Sequence, residues 1–188
     1  MADEEQIRLD GVRGLDRFAN NADFMSPEEA ENLRMFSEYG SEEFAESVER
    51  ESDALAGYLD ALLSGLSNIT DKPVARYLLL LLDTATEALR YTSAFQLRDA
   101  SILDVLPRLI RDESDVFCLS RAAAVLARFS SAALTSDDTL AMYLGWIQQK
   151  LGGGAPADVT NAALSSLMIC LSRVENREKF VAVGGVAL

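Results

Sequence analysis

The sequence predicts an all-α protein, built as a solenoid of stacked helical repeats. Apolar residues recur every three or four positions through most of the 188 residues, and no stretch alternates as a half-buried strand would. A partial internal repeat supports the stacking, because the apolar pattern of residues 126–130 returns at residues 168–172, forty-two positions later. Repeats of about this length form solenoids, in which each helical unit buries its apolar face against the next one.

Composition and charge exclude several classes of protein. The apolar share of 49% is that of a globular domain with a buried core. The 30 acidic and 17 basic residues give a net charge of −13, which repels nucleic acids and anionic lipids. The longest aliphatic run, residues 78–82, is far shorter than the roughly 20 residues of a membrane-spanning helix. Residues 1–5 are acidic, unlike a secretory signal, so we expect a cytoplasmic protein with no nucleic-acid partner and no direct membrane insertion.

The first residues carry a weak helical signal. Residues 1–23 are expected to form a partly flexible N-terminal segment with a short or frayed helix, because Gly11 and Gly14 interrupt its apolar pattern. Residues 24–188 are expected to form the repeat domain.

A strong helix start follows this segment. Ser26, Pro27 and Glu29 have the order of a capping box, in which the Ser and Glu side chains bond each other's backbone N–H groups. The helix that begins there should run to about residue 39. Further helices are predicted over residues 41–63, 74–89 and 91–98, with a turn at residues 64–71 and a helix start at Lys72 and Pro73.

A pair of helices around a polar turn occupies residues 106–130. Pro107 fits the first turn of the first helix, where a backbone N–H is not needed. The acidic residues 112–115 interrupt the apolar stripe and predict the turn. The second helix has a face of apolar and small side chains that we expect to be buried: Leu119, Ala122, Ala123, Leu126 and Phe129.

Two more long helices and a short one complete the chain. Asp137 or Asp138 is expected to cap the first long helix and Asp158 the second, with a flexible glycine-rich loop at residues 152–156 between them. Residues 176–186 predict the short helix and its glycine turn. Because the chain then stops on apolar residues, we expect it to be truncated within a repeat. The predicted buried residues are Leu140, Tyr143, Leu144, Trp146, Ile147 and Leu151 in the first helix and Val159, Ala163, Leu164, Leu167, Met168 and Leu171 in the second.

The sequence excludes several kinds of catalytic site. It has no histidine, which removes histidine general bases, Ser-His-Asp triads and histidine-ligated metals. The two cysteines, Cys118 and Cys170, lie in apolar helical patterns, which favour buried thiols over a disulfide or a metal site. The glycines at 152–154 and at 184–185 lack the spacing of a nucleotide-binding loop.

Paired acidic residues could be imagined as acid–base dyads, but each pair stands at a predicted helix start. Carboxylates there interact favourably with the helix dipole, so capping is the favoured interpretation. We therefore expect no catalytic, cofactor-binding or metal-binding residues, and a function in binding; the sequence does not specify the contact residues. The acidic pairs are Glu28-Glu29, Glu42-Glu43 and Asp137-Asp138.

The order of features in residues 106–130 resembles the second and third helices of an armadillo repeat, and residues 176–186 resemble its short first helix. This resemblance implies an armadillo or HEAT-type right-handed solenoid; the alternative is an ordinary helix bundle. Armadillo import adaptors hold cargo with Trp and Asn on successive third helices. That ladder is absent, because the corresponding positions are Ala124, Arg128, Ser166 and Cys170.

A second resemblance covers residues 24 to 188. In order and spacing, several short motifs make the chain similar to the family of H subunits of vacuolar-type proton-pumping ATPases (V-ATPases). An aromatic residue expected near residues 20–21 is missing, so the first twenty residues are poorly matched. The motifs are residues 24–29 (FMSPEE), 74–78 (VARYL), 81–83 (LLD), 106–109 (LPRL), 115–117 (DVF), 143–147 (YLGWI) and 171–177 (LSRVENR).

The resemblance implies a non-catalytic regulatory and bridging subunit of the cytosolic V1 sector, on the cytosolic face of vacuolar and endosomal membranes. In that family the amino-terminal armadillo domain docks on a peripheral stalk, and a separate carboxy-terminal domain helps to silence ATP hydrolysis when the sectors separate. The expected partners are chiefly peripheral-stalk subunits, with one copy of the chain in a hetero-oligomeric complex and no cofactor. The alternative is a generic armadillo-repeat scaffold in trafficking or transport.

Overall fold

The computed structural model describes residues 2–19, 26–27, 29, 31, 33, 46, 52–68, 70–88, 103–112 and 115–185. Within these ranges the regular structure is helical and no strand occurs, which confirms the predicted all-α class. Residues 1–102 and residues 103–188 form two separate compact units. The helices are α1 (Ala2–Ala19), α2 (Ser52–Asn68), α3 (Lys72–Ala88), α4 (Val105–Leu109), α5 (Val116–Ser131), α6 (Asp137–Leu151), α7 (Ala157–Cys170) and α8 (Val174–Ala182).

Some of the predicted features lie outside the described residues. These are the boundary between residues 23 and 24, the end of the first strong helix near residue 39, the helix start at residues 41–43, the helix over residues 91–98 and the chain end at residues 186–188.

Helix α1 is continuous from Ala2 to Ala19, whereas the sequence predicted a short or frayed helix interrupted by glycines. The prediction was wrong because Gly11 and Gly14 are contact residues rather than breaks. A Cβ at Gly11 would overlap the side chain of Tyr77, and a Cβ at Gly14 would overlap that of Val74. The missing side chains therefore let α1 lie directly against α3.

Helix α3 is the buried centre of the first unit, as its leucine-rich sequence predicted. Its residues 77–82 are all buried, and both α1 and α2 pack on it. Asp71, the residue before the helix, caps its N-terminus. The Asp71 Oδ1 accepts a hydrogen bond from the Val74 N–H at 3.2 Å.

Helix α2 extends to Asn68, so the predicted turn at residues 64–71 begins too early. The physical reason is packing, because Leu66 is fully buried and continues the apolar face past Leu63. The Ser67 side chain also forms a hydrogen bond within the helix, because its hydroxyl donates to the carbonyl of Leu63 at 3.0 Å.

The predicted capping box is present at the start of the first strong helix. The Glu29 carboxylate accepts from the Ser26 N–H at 2.7 Å, and the Ser26 hydroxyl accepts from the Glu29 N–H at 3.1 Å. Two backbone donors at the helix start are thereby satisfied by a purely local pattern.

In the second unit, helices α5 and α7 pack along each other. Their C-terminal ends lie together, since one side chain bonds both Ser130 O and Cys170 O, so the two helices run parallel. Helix α6 lies between α5 and α7 in the sequence and packs on α7. All five residues predicted for the buried face of α5 are buried, as are Tyr143 and Trp146 in α6.

Two of the predicted N-caps are one or two residues out of place. Helix α6 is capped by Ser136, whose hydroxyl accepts from the Thr139 N–H at 3.1 Å, and Asp137 and Asp138 follow in the first turn. Helix α7 has Pro156 at its N-cap, and Asp158 lies in its first turn without capping it. The acidic residues still favour the helix dipole, which acts over the whole first turn.

None of the described helices is both long and apolar enough to span a lipid bilayer.

We predict that Gly11→Ala lowers the free energy of unfolding by about 1–3 kcal/mol, because the added methyl group would force α1 away from Tyr77. The matched control is Gly145→Ala in α6, where an added Cβ meets nothing within 4 Å. That substitution should raise stability by about 0.5–1 kcal/mol through helix propensity. Urea unfolding followed by circular dichroism measures both, and a stabilising Gly11→Ala would contradict the close packing of α1.

Candidate functional site

A buried amide at the start of α8 joins the ends of two other helices. The Asn176 side chain is 2% exposed, and its Nδ2 donates to Ser130 O at 3.1 Å and to Cys170 O at 2.9 Å. Ser130 lies at the end of α5 and Cys170 at the end of α7. Because the last carbonyls of a helix have no partner within it, one amide provides donors to both helix ends. We call this arrangement the Asn176 clamp.

The residue after Asn176 completes the capping of α7. The Arg177 Nε donates to Leu171 O at 2.7 Å, and its Nη2 lies 3.5 Å from Ser172 O. A cation at a helix C-terminus also interacts favourably with the helix dipole. The motif of residues 171–177 is therefore a connection in which α8 satisfies the carbonyls that end α7.

Tyr143 of α6 fixes the middle of the same unit. Its hydroxyl donates to the backbone carbonyl of Ala123 in α5 at 2.7 Å, and its ring stacks on Trp146 with the ring centroids 6.0 Å apart. Burial raises the pKa of Tyr143 well above its ordinary value, so the phenol stays neutral. Tyr143 thus links α6 to α5 and is not available as an acid or a base at neutral pH.

Cys118 and Cys170 are both buried and neither forms a disulfide, as the sequence predicted. Burial raises the pKa of the Cys170 thiol to about 11, with the hydrogen bond from Asn176 opposing that rise. A thiol with this pKa is almost entirely protonated at neutral pH, so it is a poor nucleophile and a poor metal ligand. Cys170 therefore acts in packing next to the Asn176 clamp.

Asp137, one member of an acidic pair considered above as a possible acid–base dyad, takes part in an ion pair between two helices. Asp137 forms an ion pair with Lys179 of α8 at 2.5 Å, while its own helix begins at that residue. The hydrogen bond from Lys179, followed by its charge, lowers the pKa of Asp137. Asp137 therefore ties the start of α6 to α8. In the part of the chain that the structure describes, no group of three or more acidic or cysteine side chains could hold a metal ion.

The glycine turn after α8 is built around one left-handed residue. Gly184 has a φ of 87°, which residues with a side chain rarely adopt, and a Cβ there would lie 3.0 Å from the Gln148 amide nitrogen. This geometry explains the glycine turn predicted for residues 176–186.

Two large apolar side chains on α7 are exposed, although the sequence predicted them to be buried. The exposed fraction is 49% for Leu164 and 73% for Met168. The buried side of α7 consists instead of small and β-branched residues: Val159, Ala163, Ser166 and Cys170. The prediction was wrong because apolar residues occur around most of this helix, so periodicity could not show which of them meet a neighbour.

The exposed side of α7 is a candidate binding surface. Asn161, Leu164, Ser165 and Met168 form an exposed stripe at helical spacing, which we call the α7 stripe. From Val159 to Ser172 the sequence contains no charged residue, although the chain carries a net charge of −13. Protein interfaces are depleted of charge at their centres and enriched in Met, so this stripe has the composition of a contact surface. The uncharged run was the sequence signal that could have identified it.

We predict that Asn176→Ala lowers the free energy of unfolding by about 1–3 kcal/mol, because two buried carbonyls each lose a donor. Asn176→Asp should be more destabilising still, since a carboxylate oxygen would then face the two carbonyl oxygens. Asn161→Ala on the exposed stripe is the matched control, with an expected change within about 0.5 kcal/mol. Equal stability of the Asn176 and Asn161 variants in urea unfolding would rule out the clamp.

We predict a pH dependence from the pair of Asp137 and Lys179. Because the folded-state pKa of Asp137 is lowered, the pair stabilises the fold above the ordinary carboxyl pKa of about 4 and loses this effect as the pH falls through the lowered pKa. Lys179→Met should return the pKa of Asp137 toward its ordinary range, as measured by carbon-13 NMR of the carboxyl group. Lys72→Met is the charge-matched control. An identical Asp137 titration in all three proteins would show that the pair does not form in solution.

In comparisons with known proteins, no protein-family model, curated protein or solved structure matches the chain.

Proposed function

We propose that this chain is the non-catalytic, armadillo-like part of a regulator of the H-subunit type in a vacuolar-type proton-pumping ATPase, where it docks on a peripheral stalk and couples or regulates ATP hydrolysis and proton transport. The observation that carries the proposal is the sequence resemblance, in which seven short motifs follow in the same order from residue 24 onward. Their number and spacing support it, because each motif alone is common in helical proteins.

The positions of the motifs add a physical argument. Residues 143–147 contain Tyr143 and Trp146, which stack in the buried side of α6, and residues 171–177 contain the Asn176 clamp. Both motifs therefore fall on side chains that hold the second unit together. Such residues are needed for the fold. A resemblance at these positions therefore supports a shared architecture more directly than a shared function.

We propose for that architecture an armadillo or HEAT-type right-handed solenoid. In this proposal α5 and α7 are the third helices of two successive repeats, α6 is a second helix and α8 is the short first helix of the following repeat. The parallel packing of α5 and α7 supports the proposal, as does the forty-two-residue distance between their matching residues. The predicted alternative of an ordinary helix bundle provides no reason for this repeat.

A stalk-binding role fits the electrostatics of the chain. A net charge of −13 attracts any basic region on an elongated partner over about one Debye length, and salt weakens that attraction. Solenoid surfaces bind through many dispersed contacts, so no single substitution need abolish binding. Regulation in this proposal comes from bridging other subunits, and the chain itself hydrolyses no ATP.

We predict that the isolated chain binds the purified stalk heterodimer in calorimetric titrations and that raising the salt concentration weakens the binding. Its ATPase activity should equal that of the buffer alone. The control is a titration of the stalk heterodimer with polyglutamate of about the same net charge, because it carries acidic charge without the folded surface. Binding by the folded chain alone would separate shape recognition from charge attraction.

The opposite results distinguish the alternatives. If the folded chain shows no heat of binding at low salt to a folded stalk heterodimer, the pump assignment is wrong and a generic armadillo scaffold in trafficking or transport becomes the better hypothesis. ATP hydrolysis by the purified chain would instead contradict the non-catalytic role, provided that a single substitution abolishes the activity and leaves the chain folded.

A further inference from the structure

Helix α1 is attached to its unit through few side chains. Among residues 4–14, whose burial the structure describes, only Ile7 and Gly11 are buried. The other large apolar side chains of this stretch, Leu9 and Val12, are about half exposed. The attachment of this part of α1 therefore depends on one isoleucine and on close approach of the backbone.

The glycines that allow this close approach also weaken the helix itself. A glycine in a helix interior lowers the helix–coil equilibrium about fivefold relative to alanine, and both Gly11 and Gly14 lie inside α1. By contrast, α3 contains no glycine, and its residues 77–82 are all buried. A helix with few buried apolar contacts and low intrinsic stability opens at a lower free energy than the core of its unit.

Two side chains of α3 lie directly beneath α1. Tyr77 lies against the backbone of α1 at Gly11, and Val74 lies against it at Gly14. Both side chains are buried. They would lose this cover if α1 moved away.

Tyr58 of α2 belongs to the same buried group. Burial raises the pKa of Tyr58 well above its ordinary value, nearby Tyr77 adds to the rise, and the positive charge of Arg8 on α1 opposes it. These effects require Tyr58 to lie close to both residues. We call Tyr58, Val74 and Tyr77 the aromatic surface.

We infer that α1 is a strap that lifts from α3 as a unit and controls access to the aromatic surface. In the closed state this surface is buried, and in the open state two phenol rings and a valine are exposed together. A molecule that binds apolar and aromatic groups can reach them only when α1 is open, so its binding shifts the equilibrium toward the open state. The inference is independent of the pump assignment, because it depends only on packing within the first unit.

A disulfide between α1 and α3 tests this movement directly. In the double variant Gly14→Cys and Val74→Cys, the two Cβ atoms would lie 3.8 Å apart, which is a usual separation in disulfides. Val74→Cys also removes the methyl group that a Cβ at residue 14 would overlap. The oxidised variant holds α1 on α3, and the reduced variant is the matched control with the same sequence.

The measurement is native-state hydrogen exchange at increasing urea concentrations. In the wild type and the reduced variant, the amides of residues 8–14 should exchange through an opening that depends little on urea, because a local opening exposes little surface. The amides of residues 78–82 should exchange through a transition with a strong urea dependence. Oxidation should slow exchange at residues 8–14 about tenfold or more.

Two substitutions in α1 separate the buried contact from the exposed side. Ile7→Ala should raise the open population about thirtyfold, because it removes the buried apolar side chain. Leu9→Ala, at an exposed position of the same helix, should change it by less than about threefold. Acetylation of Tyr77 by N-acetylimidazole, located by peptide mapping, should follow the same order. The buried Tyr143 of the second unit is the internal control and should stay unmodified.

Three results would overturn the inference. Equal exchange rates and equal urea dependence in α1 and α3 of the wild type would show that α1 unfolds only with its unit. Exchange in α1 that oxidation leaves unchanged would show that the helix frays without lifting from α3. Failure of a folded double variant to form the disulfide would show that α1 does not lie on α3.

Discussion

The second unit depends on how two parallel helices end side by side. Parallel helices place their negative C-terminal dipole ends together, and those ends carry carbonyl groups without partners inside the helix. The Asn176 clamp stabilises both helix ends, because its buried amide donates to Ser130 O and to Cys170 O. A charged side chain in that position would be costly to bury, and an apolar one would leave the carbonyls without these donors. The clamp therefore fixes the register of α7 against α5.

Small residues set the distances between helices in both units. In the first unit, Gly11 and Gly14 let α1 lie against Tyr77 and Val74 of α3. In the second, Ala163, Ser166 and Cys170 form most of the buried side of α7, where a larger side chain would hold α5 further away. Close approach leaves little room for adjustment, so a larger side chain at any of these positions would push the helices apart.

Several polar and sulfur groups of the second unit take part in hydrogen bonding, ion pairing or packing. Tyr143 is neutral and bonded to a backbone carbonyl, while Cys170 is kept as a thiol by burial. Asp137 pairs with Lys179 between helices. Beside these groups, the α7 stripe combines exposed apolar side chains with a complete lack of charge in a strongly acidic chain. This exposed side of α7 has the composition of a contact surface.

Local patterns were enough to predict the all-α class, the capping box at Ser26 and the buried face of α5, because helix periodicity and capping are properties of neighbouring residues. Three other features depended on contacts between distant parts of the chain. These contacts made α1 continuous through Gly11 and Gly14, extended α2 through the buried Leu66, and left Leu164 and Met168 exposed. In each case the pattern placed a residue on a helix, but whether that residue met solvent or another helix was decided by a partner far away in the sequence.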